Sequence, residues 1–211
     1  MKPVIIPAII ATSQMELDEI LNRLKGEVDR IQLDIMDGRF VSTRSLDWDL
    51  ELPEDFTYEI HTMVTDPLSI LRKLAGRAQI ALLNYESGVE VIPAVNELKM
   101  LGFKVYLALN PDTPTDVIEP YLDELDGVLV MTVHPGRYGA PFIPKTLDKV
   151  RRIRSLRRLM DIEVDGAMNP ENITLASAAG ANLFASGSYI LKSVTPSDAI
   201  KKLTAAAKIG N

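Results

Sequence analysis

Eight short apolar segments alternate with amphipathic stretches along the chain, and this alternation constrains the fold more than any other feature of the sequence. The segments span residues 4–9, 30–35, 58–63, 78–83, 104–109, 127–131, 161–165 and 181–186. Short apolar runs predict strands, and near-continuous apolar strands are typical of a parallel sheet covered on both faces. Spacings of roughly 20–30 residues leave room for one helix per strand. The pattern therefore predicts a single-domain α/β protein over residues 1–211, a (β/α)8 TIM barrel, with an open doubly wound sheet as the alternative.

Residues that favour helix starts lie between the predicted strands. Ser13 is followed by Glu16, which is the arrangement of a capping box. Four more capping side chains directly precede a proline, which the first helical turn tolerates. They are Asp66, Thr113, Asn169 and Thr195. The unit between Phe40 and Pro53 has little room for a full helix and is predicted to be a loop with a short helical turn.

The inventory of side chains limits the chemistry that is available. The chain has no cysteine and only two histidines, His61 and His134. Disulfides, cysteine nucleophiles, protein-held iron–sulfur clusters, cysteine zinc sites and three-histidine zinc sites are therefore excluded. Carboxylates must carry most of the polar chemistry, and a metal would be held mainly by oxygen ligands.

Charge and hydropathy indicate the kind of partner to expect. The net charge is −6, and no apolar run approaches the roughly 20 residues that a membrane span needs. The N-terminus lacks the basic and apolar regions of a signal peptide. We therefore expect a cytoplasmic protein with a small-molecule ligand and with no nucleic-acid or membrane partner. The basic run at 145–158 has apolar residues at helical spacing, which predicts a solvated barrel helix.

Polar side chains occur late in three predicted strands, where barrels of this type collect their chemistry. Gln32 and Asp34 share one face of the second strand, His61 lies in the third, and Asp165 ends the seventh. Singly, such residues are more often caps, turn formers or structural side chains. On one rim, the two carboxylates could remove a proton from one face of a substrate carbon and return one to the other. The same group, with Gln32 as an oxygen donor, could hold one divalent ion.

Small residues follow each of the last three predicted strands. They are Gly136, Gly139, Gly166, Ala167, Gly187 and Ser188. Backbone amides that small residues leave accessible near helix starts favour anions, and phosphate sites in barrels often follow strands seven and eight. The sequence therefore predicts a phosphate site there, although glycine after a strand is also an ordinary turn residue.

Several motifs in a fixed order indicate a family. They are LDIMDG at 33–38 with FV at 40–41, LNP at 109–111 with TP at 113–114, VMTV at 130–133 with PG at 135–136, FIP at 142–144, EVDG at 163–166, NP at 169–170 and SGS at 186–188. From about residue 6 to residue 190 the chain resembles the ribulose-phosphate 3-epimerase family of (β/α)8 barrels.

This resemblance implies an isomerase of carbohydrate metabolism. The family transfers a proton at carbon 3 with two bases and interconverts D-ribulose 5-phosphate and D-xylulose 5-phosphate in the pentose phosphate pathway. Asp34 and Asp165 are the implied catalytic pair, and with His61 and the position of Gln32 they are the implied ligands of one divalent ion (Zn, Fe, Mn or Co). The implied contacts to the phosphorylated sugar are His61, Gly136, Gly139, Gly166, Ala167, Gly187 and Ser188. Met36, Met63 and Met131 are the implied lining methionines, although by spacing alone they would be ordinary core residues.

The chain also departs from the family pattern. Gln32 replaces a metal-binding histidine, and an amide oxygen is a poorer ligand for iron or zinc than imidazole. The other replacements are Ala8 for a serine, Arg39 and Asn84 for histidines, Arg137 and Tyr138 in a glycine-rich turn, and Ala167 for a glycine. Arg39 and Arg137 could supply new phosphate contacts or be exposed loop residues without a role. Two other functions stay open. One is an epimerase for a six-carbon ketose phosphate, and the other is a barrel that binds a phosphosugar without turnover. Whether the chain forms a homo-oligomer is also open.

Overall fold

Eight parallel strands pair in chain order and close into a barrel in the computed structural model, which describes residues 2–46, 49–136 and 139–209. The strands are β1 Val4–Ile9, β2 Arg30–Met36, β3 Thr57–Met63, β4 Ile80–Asn84, β5 Lys104–Leu109, β6 Gly127–Met131, β7 Asp161–Asp165 and β8 Leu183–Ser186. The barrel closes where β1 pairs with β8 and Ile6 lies opposite Ala185. The predicted (β/α)8 barrel is confirmed, and the alternative of an open sheet is wrong.

Helices cover the outside of the barrel. They are α1 Gln14–Leu24, α2 Pro67–Leu74, α3 Val91–Met100, α4 Leu147–Leu156, α5 Pro170–Ala179, α6 Ser188–Leu191 and α7 Pro196–Ile209. The crossover between β5 and β6, which is described throughout, forms only the 3-10 turns Thr115–Val117 and Glu119–Tyr121. None of the helices in the described ranges is both long and apolar enough to cross a membrane.

Most of the predicted helix starts are confirmed. At Ser13, Asp66 and Asn169 the side-chain oxygen accepts a hydrogen bond from the backbone amide three residues later, at 3.2, 3.2 and 2.9 Å. Thr195 directly precedes α7. Thr113 caps no α-helix, because only 3-10 turns follow it, and its hydroxyl donates to Glu86 instead.

The described residues between β2 and β3 form a loop, as predicted. Asp37 pairs with Arg44 in an isolated bridge, and the backbone amide of Ser45 donates to the carbonyl of Met36 at 3.1 Å. These bonds fix residues 44–45 of the loop beside the end of β2. The described residues 37–46 and 49–56 contain no helix, so the short helical turn that was predicted is not found among them.

The basic run forms the predicted barrel helix, α4. Leu147, Val150 and Ile153 are buried on its inner face. Arg152 lies on the exposed side and donates to Glu119 at 2.7 Å. The run is therefore a solvated helix face, as its apolar spacing predicts.

The inward-facing side chains divide the barrel interior into two parts. Most strands contribute apolar groups, which include Ile6, Leu82, Tyr106, Leu129 and Leu183. The strands β2, β3 and β7 instead contribute a polar column. The polar column consists of Arg30, Gln32, Asp34, Glu59, His61, Glu163 and Asp165. Its members recur at every second position of their strands because side chains alternate between the two faces of a strand.

Candidate active site

Three buried side chains of the polar column meet at the carboxyl-terminal ends of β2, β3 and β7. Asp34, His61 and Asp165 each offer one ligand atom, and these atoms lie within 4.8 Å of one another. His61 Nδ1 is 3.3 Å from Asp34 Oδ1 and 3.7 Å from Asp165 Oδ2. The register of β2 and β3 sets Asp34 beside His61, and closure of the barrel adds Asp165 from β7. The structure thus brings together the three strand-end residues that the sequence singled out.

Gln32 joins the two carboxylates through its amide nitrogen. Its Nε2 donates to Asp34 Oδ1 at 2.7 Å and to Asp165 Oδ2 at 2.8 Å. Its Oε1 is buried and has no hydrogen-bond partner among the described residues. Gln32 therefore lies where the sequence predicts a ligand, but it directs N–H groups rather than its oxygen at the carboxylates. We call Gln32, Asp34, His61 and Asp165 the mouth cluster.

Burial and close charges shift the pKa values of the mouth cluster. Burial raises the pKa of Asp165 to about 7, and the charge of Asp34 adds to this effect. Burial lowers the pKa of His61, but the hydrogen bond and charge of Asp34 and the charge of Asp165 outweigh burial, so the net shift is upward. The other ring nitrogen of His61, Nε2, lies 3.1 Å from Asn84 Oδ1, which fixes the orientation of the imidazole.

A second group of charges lies two residues earlier on the same strands. Arg30 contacts Glu59 through Nε and Nη2, and its Nη2 also lies 3.4 Å from Glu163. Both glutamates are fully buried. Burial raises the pKa of Glu163 well above its usual range, and the charge of Glu59 adds to the shift. We call these three residues the lower cluster. Sequence reasoning missed it, although strict alternation from Gln32, His61 and Asp165 points to these positions.

A cavity of about 490 Å³ opens above the mouth cluster. Asp34 and Asp165 line its base, and Ala8, Met63 and Met131 line its walls. The carboxyl pair is therefore accessible to a small ligand. His61 and Met36 are not among the lining residues. His61 lies fully buried beside the two aspartates, and Met36 lines a separate cavity of about 160 Å³.

The predicted phosphate residues all line one side of this cavity. They are Gly136, Gly139, Gly166, Ala167, Gly187 and Ser188. Gly166 has a φ of +123°, and a Cβ atom there would lie 2.5 Å from Val133, so only glycine fits. Ala167 is left-handed as well, with a φ of +54°, although it has a side chain. Strained backbone of this kind is concentrated at ligand-binding sites.

Lys192 is the only lysine or arginine among the described residues that line this cavity, and it is not among the residues predicted from the sequence. Its position just after α6 carries no local motif. Arg39 is exposed and does not line the cavity. His134 lines a different cavity, where it lies 3.8 Å from Asp112. Arg137 and Tyr138 lie outside the described residues.

The fold and the mouth cluster define a class of protein, a single-domain (β/α)8 barrel with a carboxylate pair and a histidine at the carboxyl-terminal ends of its strands. The KGPDC from Streptococcus mutans shares this fold. Its structure matches 99% of this chain and 98% of its own chain with a TM-score of 0.73 and 16% identity.

Sequence comparison gives a narrower assignment. A model of the ribulose-phosphate 3 epimerase family matches residues 4–191. The ribulose-phosphate 3-epimerase of Bacillus subtilis (strain 168) is 33% identical and covers 87% of this chain and 90% of the relative. The ribulose-phosphate 3-epimerase of Schizosaccharomyces pombe is 30% identical over 94% of this chain and 91% of the relative. The chain belongs to the ribulose-phosphate 3 epimerase family, whose members are isomerases.

Proposed function

We propose that this chain is a sugar-phosphate epimerase that interconverts D-ribulose 5-phosphate and D-xylulose 5-phosphate by two-base proton transfer at carbon 3. The observation that carries the proposal is the pairing of Asp34 and Asp165 at the base of the cavity. The two carboxyl groups come from different strands and both face the ligand space. Membership of the family supports the same reaction.

The reaction assigns opposite tasks to the two carboxyl groups. One carboxylate accepts the proton from carbon 3, and the electron pair of the broken C–H bond moves towards the neighbouring carbonyl oxygen. The other carboxyl group donates a proton to the opposite face of carbon 3, which inverts that centre. Both Asp34 and Asp165 line the cavity, so each can exchange a proton with a substrate bound there.

The polar column suits a divalent cation as cofactor. It contains four carboxyl groups but only one arginine and one histidine, so it is short of positive charge. Asp34, His61 and Asp165 would hold the ion. When bound, the ion would supply positive charge that stabilises negative charge developing on substrate oxygens. Zinc, iron, manganese and cobalt all accept imidazole and carboxylate ligands, so metal analysis of the purified protein must identify it.

The phosphate end of the substrate is assigned to the loops that follow β6, β7 and β8. The small residues Gly166, Ala167 and Gly187 line this cavity, and small residues favour contact between backbone amides and an anion. Lys192 adds a positive side chain to the same cavity. Together they provide the donors and the charge that a phosphate monoester needs.

Turnover of D-ribulose 5-phosphate tests the proposal. We expect Asp34→Asn and Asp165→Asn each to lower kcat by roughly 100- to 10,000-fold, because each removes one proton-transfer group. The exposed Asp116→Asn should leave kcat unchanged. Each protein is assayed after loading with Zn²⁺, Fe²⁺, Mn²⁺ or Co²⁺. Wild-type turnover in either mouth variant would contradict the assignment of two bases.

A substrate panel separates the alternatives. Turnover of a six-carbon ketose phosphate in preference to ribulose 5-phosphate would identify a different epimerase. Thermal stabilisation by phosphosugars without turnover under any of the four metals would indicate a binding protein.

A further inference from the structure

The amide of Gln32 makes strong contacts on one side and none on the other. Its N–H groups bridge Asp34 and Asp165 at 2.7 and 2.8 Å, and hydrogen bonds to carboxylates are stronger than those between neutral groups. Its Oε1 is buried without a partner among the described residues. An unpartnered buried acceptor is unfavourable, so this orientation satisfies only half of the amide.

Two further buried acceptors lie on the same inner surface of the barrel. The carboxyl groups of Glu59 and Glu163 share a hydrogen bond, and Oε1 of each accepts none from an N–H group within the described ranges. Gln32 and Glu59 are directly opposite each other in the register of β2 and β3. The lower cluster therefore offers acceptors to an amide N–H group that leaves the mouth cluster.

A cation held between Asp34 and Asp165 would reverse the preferred orientation of the Gln32 amide. N–H groups that point at a cation are repelled, whereas the amide oxygen is attracted to it. The rotation exchanges the positions of two atoms of nearly equal size, so it needs no movement of the backbone. After the rotation the amide nitrogen could donate a hydrogen bond to a carboxyl group of the lower cluster. A hydrogen bond from a metal ligand to a carboxylate behind it commonly orients the ligand.

We propose that Gln32 is a two-position side chain that bridges Asp34 and Asp165 in the metal-free protein and rotates its amide by about 180° when a divalent ion binds. In the second position Oε1 faces the ion, and Nε2 donates to Glu59 or Glu163. The metal-free orientation holds the two carboxylates together as ligands, but it must be broken before the ion is fully coordinated. This inference rests on the divalent ion of the proposed function.

Nuclear magnetic resonance of the side-chain amides tests the rotation directly. The chain has only three glutamines, Gln14, Gln32 and Gln79, so selective ¹⁵N-glutamine labelling of the full chain gives three side-chain amide groups. Gln32→Met identifies the pair of signals that belongs to Gln32. In metal-free protein we expect NOEs from these protons to the β-protons of Asp34 and Asp165. Saturation with Zn²⁺, which is diamagnetic, should remove them and produce NOEs to the γ-protons of Glu59 or Glu163.

The controls separate this inference from the proposed function. Gln14 donates to Asp18 on the surface, and its NOEs should not change with Zn²⁺. Calorimetry on the same sample measures Zn²⁺ uptake. Uptake with unchanged Gln32 NOEs, or no uptake of Zn²⁺ at all, overturns the rotation. Turnover of ribulose 5-phosphate is measured separately, so an active enzyme with an immobile amide would sink the rotation and leave the epimerase assignment intact.

Discussion

The polar column contains two clusters of buried carboxyl groups, and they differ in how their charge is balanced. In the lower cluster, Arg30 contacts both glutamates, and its charge is permanent. In the mouth cluster, Asp34 and Asp165 contact a neutral amide and an imidazole but no lysine or arginine within the described ranges.

This difference separates a structural role from a chemical one. In the lower cluster a permanent cation balances part of the negative charge at any pH, although burial still raises the pKa of both glutamates. A buried carboxyl pair without a permanent cation depends on a proton or on a bound ion to balance its charge. The mouth cluster lines the ligand cavity through Asp34 and Asp165, and it can take up a proton or a cation there. The lower cluster does not line that cavity, and Arg30 balances its charge inside the barrel.

The largest predicted effect on stability comes from removing Arg30, the permanent cation of the lower cluster. Arg30→Met leaves Glu59 and Glu163 buried without their counter-charge, which should lower the free energy of unfolding by about 3–5 kcal/mol. Urea unfolding at pH 8 measures this loss. The deficit should shrink towards pH 5, because burial raises the pKa of both glutamates and acid neutralises them.

An exposed arginine provides the matched control for Arg30. Arg152 pairs with Glu119 on the surface at 2.7 Å, and Arg152→Met should lower the free energy of unfolding far less than Arg30→Met does. If the two variants lost equal stability, the lower cluster would not be a buried ion-pair network of structural importance.

The mouth cluster should respond to a different kind of change. Gln32→His supplies a ring nitrogen where the amide now directs N–H groups, and we expect it to tighten binding of Zn²⁺ by on the order of tenfold. Competition with a chromophoric chelator measures the affinity. Equal affinity in both proteins would show that position 32 does not take part in holding the ion.

The smallest predicted effect concerns Lys192, which lines the cavity together with the predicted phosphate-binding residues. Lys192→Met should raise KM for ribulose 5-phosphate by roughly three- to tenfold with little change in kcat, because it removes positive charge near the phosphate. The effect should decrease at high ionic strength. Lys202→Met, outside this cavity on α7, is the control, and an equal rise in KM there would remove the special role of Lys192.

The alternation of side chains in strands made much of the site predictable. A period of two places Gln32 and Asp34 on one face, and barrel topology brings His61 and Asp165 to the same end. The barrel itself follows from eight apolar runs at regular spacing. The caps at Ser13 and Asn169 follow from local chemistry that acts within three residues.

The remaining features depend on contacts that no local pattern contains. The inward position of Arg30 is not predictable from the sequence, because charged side chains are rarely buried and only the facing glutamates explain its position. The orientation of the Gln32 amide depends on partners from two strands. Lys192 reaches the cavity through the arrangement of α6 and the following turn, which the sequence does not mark.

The isotopic composition of the product tests the central claim, that two separate carboxyl groups act on opposite faces of carbon 3. The metal-loaded protein converts D-ribulose 5-phosphate in D₂O, and the reaction is stopped early. Two bases predict that newly formed xylulose 5-phosphate carries solvent deuterium at carbon 3, and that Asp34→Asn and Asp165→Asn form almost none of it. Product that keeps the original proton, or that forms at the wild-type rate in either variant, would contradict the account.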